Sequence, residues 1–280
     1  MLKHFKEKKQ FQIVIGVSLR ASWDLNRPAS DFLSLFEVDF FELQLDNPLL
    51  LFEKNRAKAI EFIDELAVHK PLSFHLSYIN VNPAALNEKM RKATSTVLQE
   101  QLAFISRWSP VYAVFHTGDR FPVYLKDSLL QVAQEQQKKT IEEVLEVANN
   151  YSITLAMENY PKWFSEGLVT NYEEMKSLQE LYNELNFLID LGHLNTITKG
   201  PSEFVEELGK ILDLPVIAFH LSNNFGEIDS HKPLTNGTVP LAEIFNTYTM
   251  IKEKYLALEN KTIEDTLESL EILRKLISNK

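Results

Sequence analysis

Nine residues of metal-ligand type recur along the chain: His75, His116, Glu158, Asp190, His193, His220, Asp229, His231 and Glu259. Imidazole and carboxylate are the donors that hold zinc, manganese or iron in preference to magnesium. A bound divalent ion activates water and polarises oxygen at neutral pH, chemistry that serves hydrolysis and isomerisation alike. The chain has no cysteine, so disulfides and thiolate sites are excluded and any metal must be held by nitrogen and oxygen. Five of the seven histidines belong to the set. A single histidine of this kind is more often a hydrogen-bonded packing residue than a ligand. Glu158, Asp190 and Glu259 are harder to explain that way, because each interrupts an apolar run where an unpaired charge is costly to bury.

The elements that must position these residues are eight apolar runs, at 13–19, 40–46, 72–78, 111–118, 153–160, 186–194, 216–224 and 255–260. They are apolar almost throughout, as strands buried on both faces are. Helical patterns separate them. The stretches 54–69 and 86–108 have apolar residues at helical spacing, Asn171 precedes YEEMKSLQEL, and Thr262 to Asp265 reads as a capping box. Pro201 and Pro240 suit first-turn positions. Strand starts 27 to 42 residues apart give the rhythm of a single (β/α)8 TIM barrel over residues 1–280, with 1–11 a polar leader. In that fold the carboxyl ends of the strands converge on one face. The runs from the third to the eighth each end on a ligand, and the long loop 226–240 adds Asp229 and His231. His4, in the leader, and His69, at a helix end before the third run, fall outside the ring.

Composition is that of a globular protein, 45% hydrophobic and 24% charged. The leader lacks the apolar stretch of a signal peptide, and no run approaches the roughly 18 apolar residues of a membrane span, so a cytoplasmic protein without membrane attachment is expected. A net charge of −10 argues against broad electrostatic binding to nucleic acid.

In order and spacing the nine residues resemble the xylose-isomerase-like TIM barrels, and within them endonuclease IV, the family 2 AP endonucleases. The resemblance runs over nearly the whole chain. It rests on His75-Leu-Ser-Tyr78, His116-Thr-Gly118, Glu158-Asn159, Asp190-Leu-Gly-His193, His220, Asp229-Ser-His231 and Glu259. That family holds three zinc ions with nine ligands. Carried over, the resemblance implies one ion on His75, His116 and Glu158. A second shares Glu158 and adds Asp190, His220 and Glu259, and a third takes His193, Asp229 and His231. It implies a phosphoester or phosphodiester hydrolase with two or three zinc ions, manganese or iron being alternatives, in which Glu158 and Glu259 take part in catalysis.

The departures concern the substrate. The family's strand 7 reads H-x-N-D where this chain has His220-Leu-Ser-Asn223, and its D-x-C-H has Gly192 here. Its G-E-G is Thr235-Asn236-Gly237. The loop that carries a DNA-entering Arg and Trp is the apolar DNPLLLFEK at 46–54. Tyr78 does match a DNA-contacting Tyr. A small phosphorylated metabolite or phosphodiester, such as the nucleotide loop of a cobamide, is therefore expected in place of abasic duplex DNA. Tyr78, Trp163, Arg20, Lys162 and Lys232 are the candidate substrate contacts, with Trp23, Arg120, Phe121, Tyr160, Phe164 and Phe225 as further loop residues on that face. Two other classes stay open. A one-metal sugar or sugar-phosphate isomerase or epimerase would use Glu158, Asp190, His220 and Glu259 around one Mn, Mg or Co, with the two glutamates as acid and base. It has no need of His75 and His116 together. A barrel that has lost catalysis and only binds a metabolite would have no reason to keep nine costly polar groups.

Overall fold

The computed structural model describes residues 13–120, 127–162 and 166–278. Its strands in chain order are β1 (Val14–Leu19), β2 (Phe40–Gln44), β3 (Leu72–His75), β4 (Ala113–His116), β5 (Asp119–Arg120), β6 (Leu155–Glu158), β7 (Glu166–Gly167), β8 (Asn186–Asp190), β9 (Val216–Leu221) and β10 (Tyr255–Leu258). Eight of them form a closed parallel barrel in the order β1-β10-β9-β8-β6-β4-β3-β2, the (β/α)8 architecture expected from the runs. The short β5 and β7 pair antiparallel as a ribbon between the loops that follow β4 and β6.

From the second run on, each barrel strand ends inside its apolar run, because the last residues of the run leave the ladder to face the barrel mouth. The sixth run departs most. Its pattern predicts an extended chain through 194, yet Leu191–Ile197 is a helix. Asp190 caps it, accepting a 2.7 Å hydrogen bond from His193 N–H. His193 therefore stands one helical turn above Asp190, on the same side.

The barrel interior is filled in layers. At the amino end Phe40, Tyr112, Val114, Ala156, Leu188, Ala218 and Ala257 form an apolar plug distinct from the core between strands and helices. Large rings face small residues there. Phe40 meets Tyr112 and Tyr255 edge-on, at 6.1 and 5.5 Å between centroids. Gly16 makes room for Phe40, since a Cβ at Gly16 would lie 2.4 Å from that ring. With side chains alternating along a strand, the inward positions above the plug are Glu42, Ser73 and His220, all fully buried, and above them the ligand-type residues.

Helices enclose the barrel. Tyr172–Leu181 starts with a full capping box at Asn171 and Glu174. The helix Ile263–Ser278 starts on Thr262, whose hydroxyl accepts from Asp265 N–H. Pro201 is the first residue of its helix, whereas Pro240 sits one position before Leu241–Thr247. No helix among the described residues is long and apolar enough to cross a membrane. Glu88–Ile105 and Asp127–Asn150 are clamped by Arg91, only 2% exposed. Its guanidinium donates to both oxygens of Glu143, at 2.9 and 3.0 Å, and to both of Glu88, at 3.3 and 3.1 Å. Replacing Arg91 with Met is expected to lower stability by about 1–3 kcal/mol, the scale of lost charge-assisted hydrogen bonds. The hydrogen bond from Arg91 holds Glu88 down to about 2 from its ordinary 4.5. A lowered carboxylate stabilises fully above its unfolded pKa and loses that contribution as pH falls towards the folded one. Urea titrations of the wild type should therefore show an acid-side loss between those two values that is smaller in the Met variant.

Candidate metal centre

The ligand-type residues converge at the carboxyl end of the barrel, while His69 ends the helix Arg56–His69 at the opposite end; His4 lies outside the described residues. Three groups have ligand atoms within 4.8 Å of one another: His75, His116 and Glu158; Glu158, Asp190, His220 and Glu259; and His193, Asp229 and His231. Glu158 joins the first two. Its Oε2 lies 3.0 Å from His75 Nε2 and 3.1 Å from His116 Nε2, and its Oε1 lies 3.1 Å from His220 Nδ1. Glu259 Oε2 is also 3.1 Å from His220 Nδ1.

The histidines are aimed by what lies behind them. His75 Nδ1 donates to the Leu76 carbonyl at 2.8 Å, and His193 Nδ1 donates to the Asn159 carbonyl at 2.7 Å. His220 Nε2 donates to Glu42 Oε1 at 2.9 Å. Each acceptor fixes one ring proton and turns the other nitrogen towards the centre, where it would meet an ion.

The residues fit a cation. Asp190 Oδ2 and Asp229 Oδ1 are buried without a hydrogen-bond partner. Burial raises Asp190 to about 6, and His193 offsets it only in part. For Glu158 burial acts the same way, but His220 and His116 outweigh it and hold the carboxylate well below its usual range. Burial would depress His193, and the carboxylates of Asp190 and Asp229 reverse that and raise it well above normal. His116 is lowered, burial being the main cause. Zinc suits this nitrogen- and oxygen-only set, as do manganese and iron. The residues that would hold it are the four around Glu158 and Asp190 together with His75 and His116.

A cavity of about 670 Å³ opens above the centre, lined by Arg20, Tyr78, Asn82, Met90, Ile228 and Lys261 among others. Tyr78 stacks on His116 with 4.7 Å between centroids. Arg20 reaches the centre itself, 3.2 Å from Glu259 Oε1. The other expected contacts fare differently. Lys162 is exposed and lines a smaller cavity with Gln134 and Glu174. The Lys232 ammonium lies over the Phe225 ring, 5.4 Å from its centroid, and is not part of the main cavity wall. The sequence places both near the substrate, and neither lines the cavity above the centre. Trp23 is a packing residue between Phe32 and Phe36, its indole N–H held by the Lys261 carbonyl. Tyr160 lines the cavity, and Phe225 is exposed. Trp163, Phe121 and Phe164 lie outside the described residues.

Sequence reasoning missed Glu42 and Gln44. Gln44 Nε2 donates to Glu259 Oε1 at 2.5 Å, and Glu42 holds His220 from below. The signal was present: two polar residues, two positions apart, inside the apolar FFELQLD, the same anomaly that marks Glu158. Glu42→Ala is expected to weaken binding of the ion at His220 by about 10- to 100-fold, as loss of a carboxylate behind a ligating histidine does. Competition against a chromogenic chelator measures it, and unchanged affinity would deny Glu42 this role.

Comparison with known proteins places the architecture. A profile of the xylose isomerase-like TIM barrel family matches residues 32–276. The protein MJ1311 of Methanocaldococcus jannaschii is 27% identical over 243 residues, covering 85% of this chain and 80% of that protein. Among solved structures, a D-tagatose 3-epimerase-like protein superposes with a TM-score of 0.79 at 23% identity, over 95% of this chain and 97% of its own. The 3-keto-D-glucoside 4-epimerase YcjR of E. coli gives 0.75 at 14%, over 94% and 100%. The TTHB071 protein of Thermus thermophilus, from crystals soaked in zinc chloride, gives 0.71 at 21%, over 95% and 98%. These likenesses establish the fold, and the extent of the profile match establishes the family: this chain belongs to the xylose isomerase-like TIM barrels.

Proposed function

We propose that the chain is a metal-dependent phosphoesterase whose centre holds two divalent ions bridged by Glu158, acting on a small phosphorylated metabolite or phosphodiester. The observation that carries this reading is the division of labour on Glu158: Oε2 faces His75 and His116, while Oε1 faces His220. A carboxylate that serves one ion has no use for two further imidazoles on its second oxygen. A bound pair of ions supplies an activated water and takes up charge on the leaving oxygen. The protein does the rest. Glu158 and Glu259 are the carboxylates placed to accept a proton at the centre. Burial pushes the Tyr78 hydroxyl up to about 12, so at neutral pH it keeps its proton and can donate to a substrate oxygen. Arg20 and Lys261 bring positive charge to a cavity whose floor is acidic. The cavity volume suits a small molecule. The segment where endonuclease IV carries its DNA-entering Arg and Trp is the short helix Pro48–Leu51, which has neither.

A second reading, a one-metal sugar or sugar-phosphate isomerase or epimerase, is the one that the comparisons favour, since the solved relatives named for an activity are epimerases. It would use Glu158, Asp190, His220 and Glu259 on one ion, with Glu158 and Glu259 as acid and base, and would leave His75 and His116 without a ligand's role.

Metal analysis of protein purified without chelator, combined with His116→Ala, separates the two. The phosphoesterase should hold at least two equivalents. The variant should lose one of them and drop in turnover of a generic phosphodiester by more than about 100-fold, beyond the range of residues behind the ligands. One equivalent in the wild type, with sugar-dependent deuterium exchange that survives His116→Ala, would establish the isomerase instead.

A further inference from the structure

The third group, His193, Asp229 and His231, differs from the other two in a way that involves Arg20. Donors sharing one ion at about 2.0–2.1 Å stand about 3 Å or more apart. The edges around Glu158 meet that, at 3.0 to 3.1 Å. His231 Nε2 and Asp229 Oδ2 are 2.5 Å apart, a direct hydrogen bond. The other nitrogen, Nδ1, has two neighbours of opposite demand. The Glu259 carbonyl, 3.0 Å away, calls for a proton on Nδ1, which would leave Nε2 bare as in His75. Arg20 Nη1, 2.7 Å away, carries only donors and calls for the lone pair there. The shorter contact goes with the 2.5 Å bond: Nδ1 accepts from Arg20, and Nε2 keeps its hydrogen and donates to Asp229. The same guanidinium nitrogen holds Glu259 Oε1 at 3.2 Å, so Arg20 is wedged between the third group and the four-residue group. The site behind it is otherwise prepared. Asp229 Oδ1 is buried with no partner, and His231 is held in the left-handed region at a φ of 45°.

We propose that Arg20 occupies the role of the third cation: it locks His231 in the tautomer that cannot ligate, limits the centre to the two ions bridged by Glu158, and leaves the third group a latent site that opens when the guanidinium is removed. This rests on the two-ion reading given above.

The test is zinc content after equilibration at fixed free zinc, for the wild type, Arg20→Met and Arg20→Met/His231→Ala. Two, three and two equivalents support the proposal. Three in the wild type, or two in Arg20→Met, overturns it without touching the pair at Glu158. One in the wild type overturns that reading and the proposal with it. A variant-free measurement guards against misfolding: in zinc-loaded wild type, the nitrogen shifts of isotope-labelled His231 should report a protonated Nε2 and a bare Nδ1. The opposite tautomer refutes the lock.

Discussion

The cost of keeping five carboxylates out of water governs this structure. Glu42, Glu158, Asp190, Asp229 and Glu259 are all nearly or fully buried at the middle and mouth of one barrel. Any one of them, unpaired, would be expensive. The fold meets this with five imidazoles set between them, one guanidinium, and the amide of Gln44. His220 shows the principle most fully. It is clamped between Glu42 below and Glu158 and Glu259 above, so one ring spans two acidic layers. Two oxygens remain without a hydrogen bond, on Asp190 and Asp229, and they mark where protein groups alone do not balance the charge.

The apolar plug beneath is the other half of that arrangement. Phe40 and Tyr112 seal the amino end beside the small residues Ala156, Ala218 and Ala257, and Gly16 makes the room that Phe40 needs. A dry floor keeps the dielectric low under His220, which strengthens each charged contact above it and raises the stakes of any left unmade. Plug and polar layer are successive inward positions of the same strands, so packing and chemistry share one register.

Most of the barrel was legible because strands buried on both faces are apolar throughout, and such runs separated by helical patterns admit few architectures. The ring of ligand-type residues was legible because a carboxylate such as Glu158 or Asp190 is conspicuous in such a run. What stayed hidden has physical reasons. Periodicity does not say where a ladder ends, so the capping role of Asp190, and with it the helical placement of His193, lay beyond it. Glu42 and Gln44 show the same anomaly as Glu158, but their run supplies no member of the ligand ring, so nothing in the sequence tied them to it. That Lys162 and Lys232 lie off the wall of the main cavity is set by loop geometry, on which the local sequence is silent. Arg20 reads from the sequence as a substrate contact, because its neighbours His231 and Glu259 are more than 200 residues away in the chain.

The placement of the ligands also bears on how the protein is made and lost. His75, His116, Glu158, Asp190, His220 and Glu259 come from six separate strands or strand ends, and the ring closes only when β10 returns to β1. No half-barrel contains the whole set, so a nascent chain could not complete the centre until β10 is made. Contacts this distant in sequence form late, after the chain has met its loop-closure cost. Ions bound to them would act mainly as a brake on opening, with little influence on the speed of assembly. Loss of metal would then show itself first as a shortened lifetime of the folded protein.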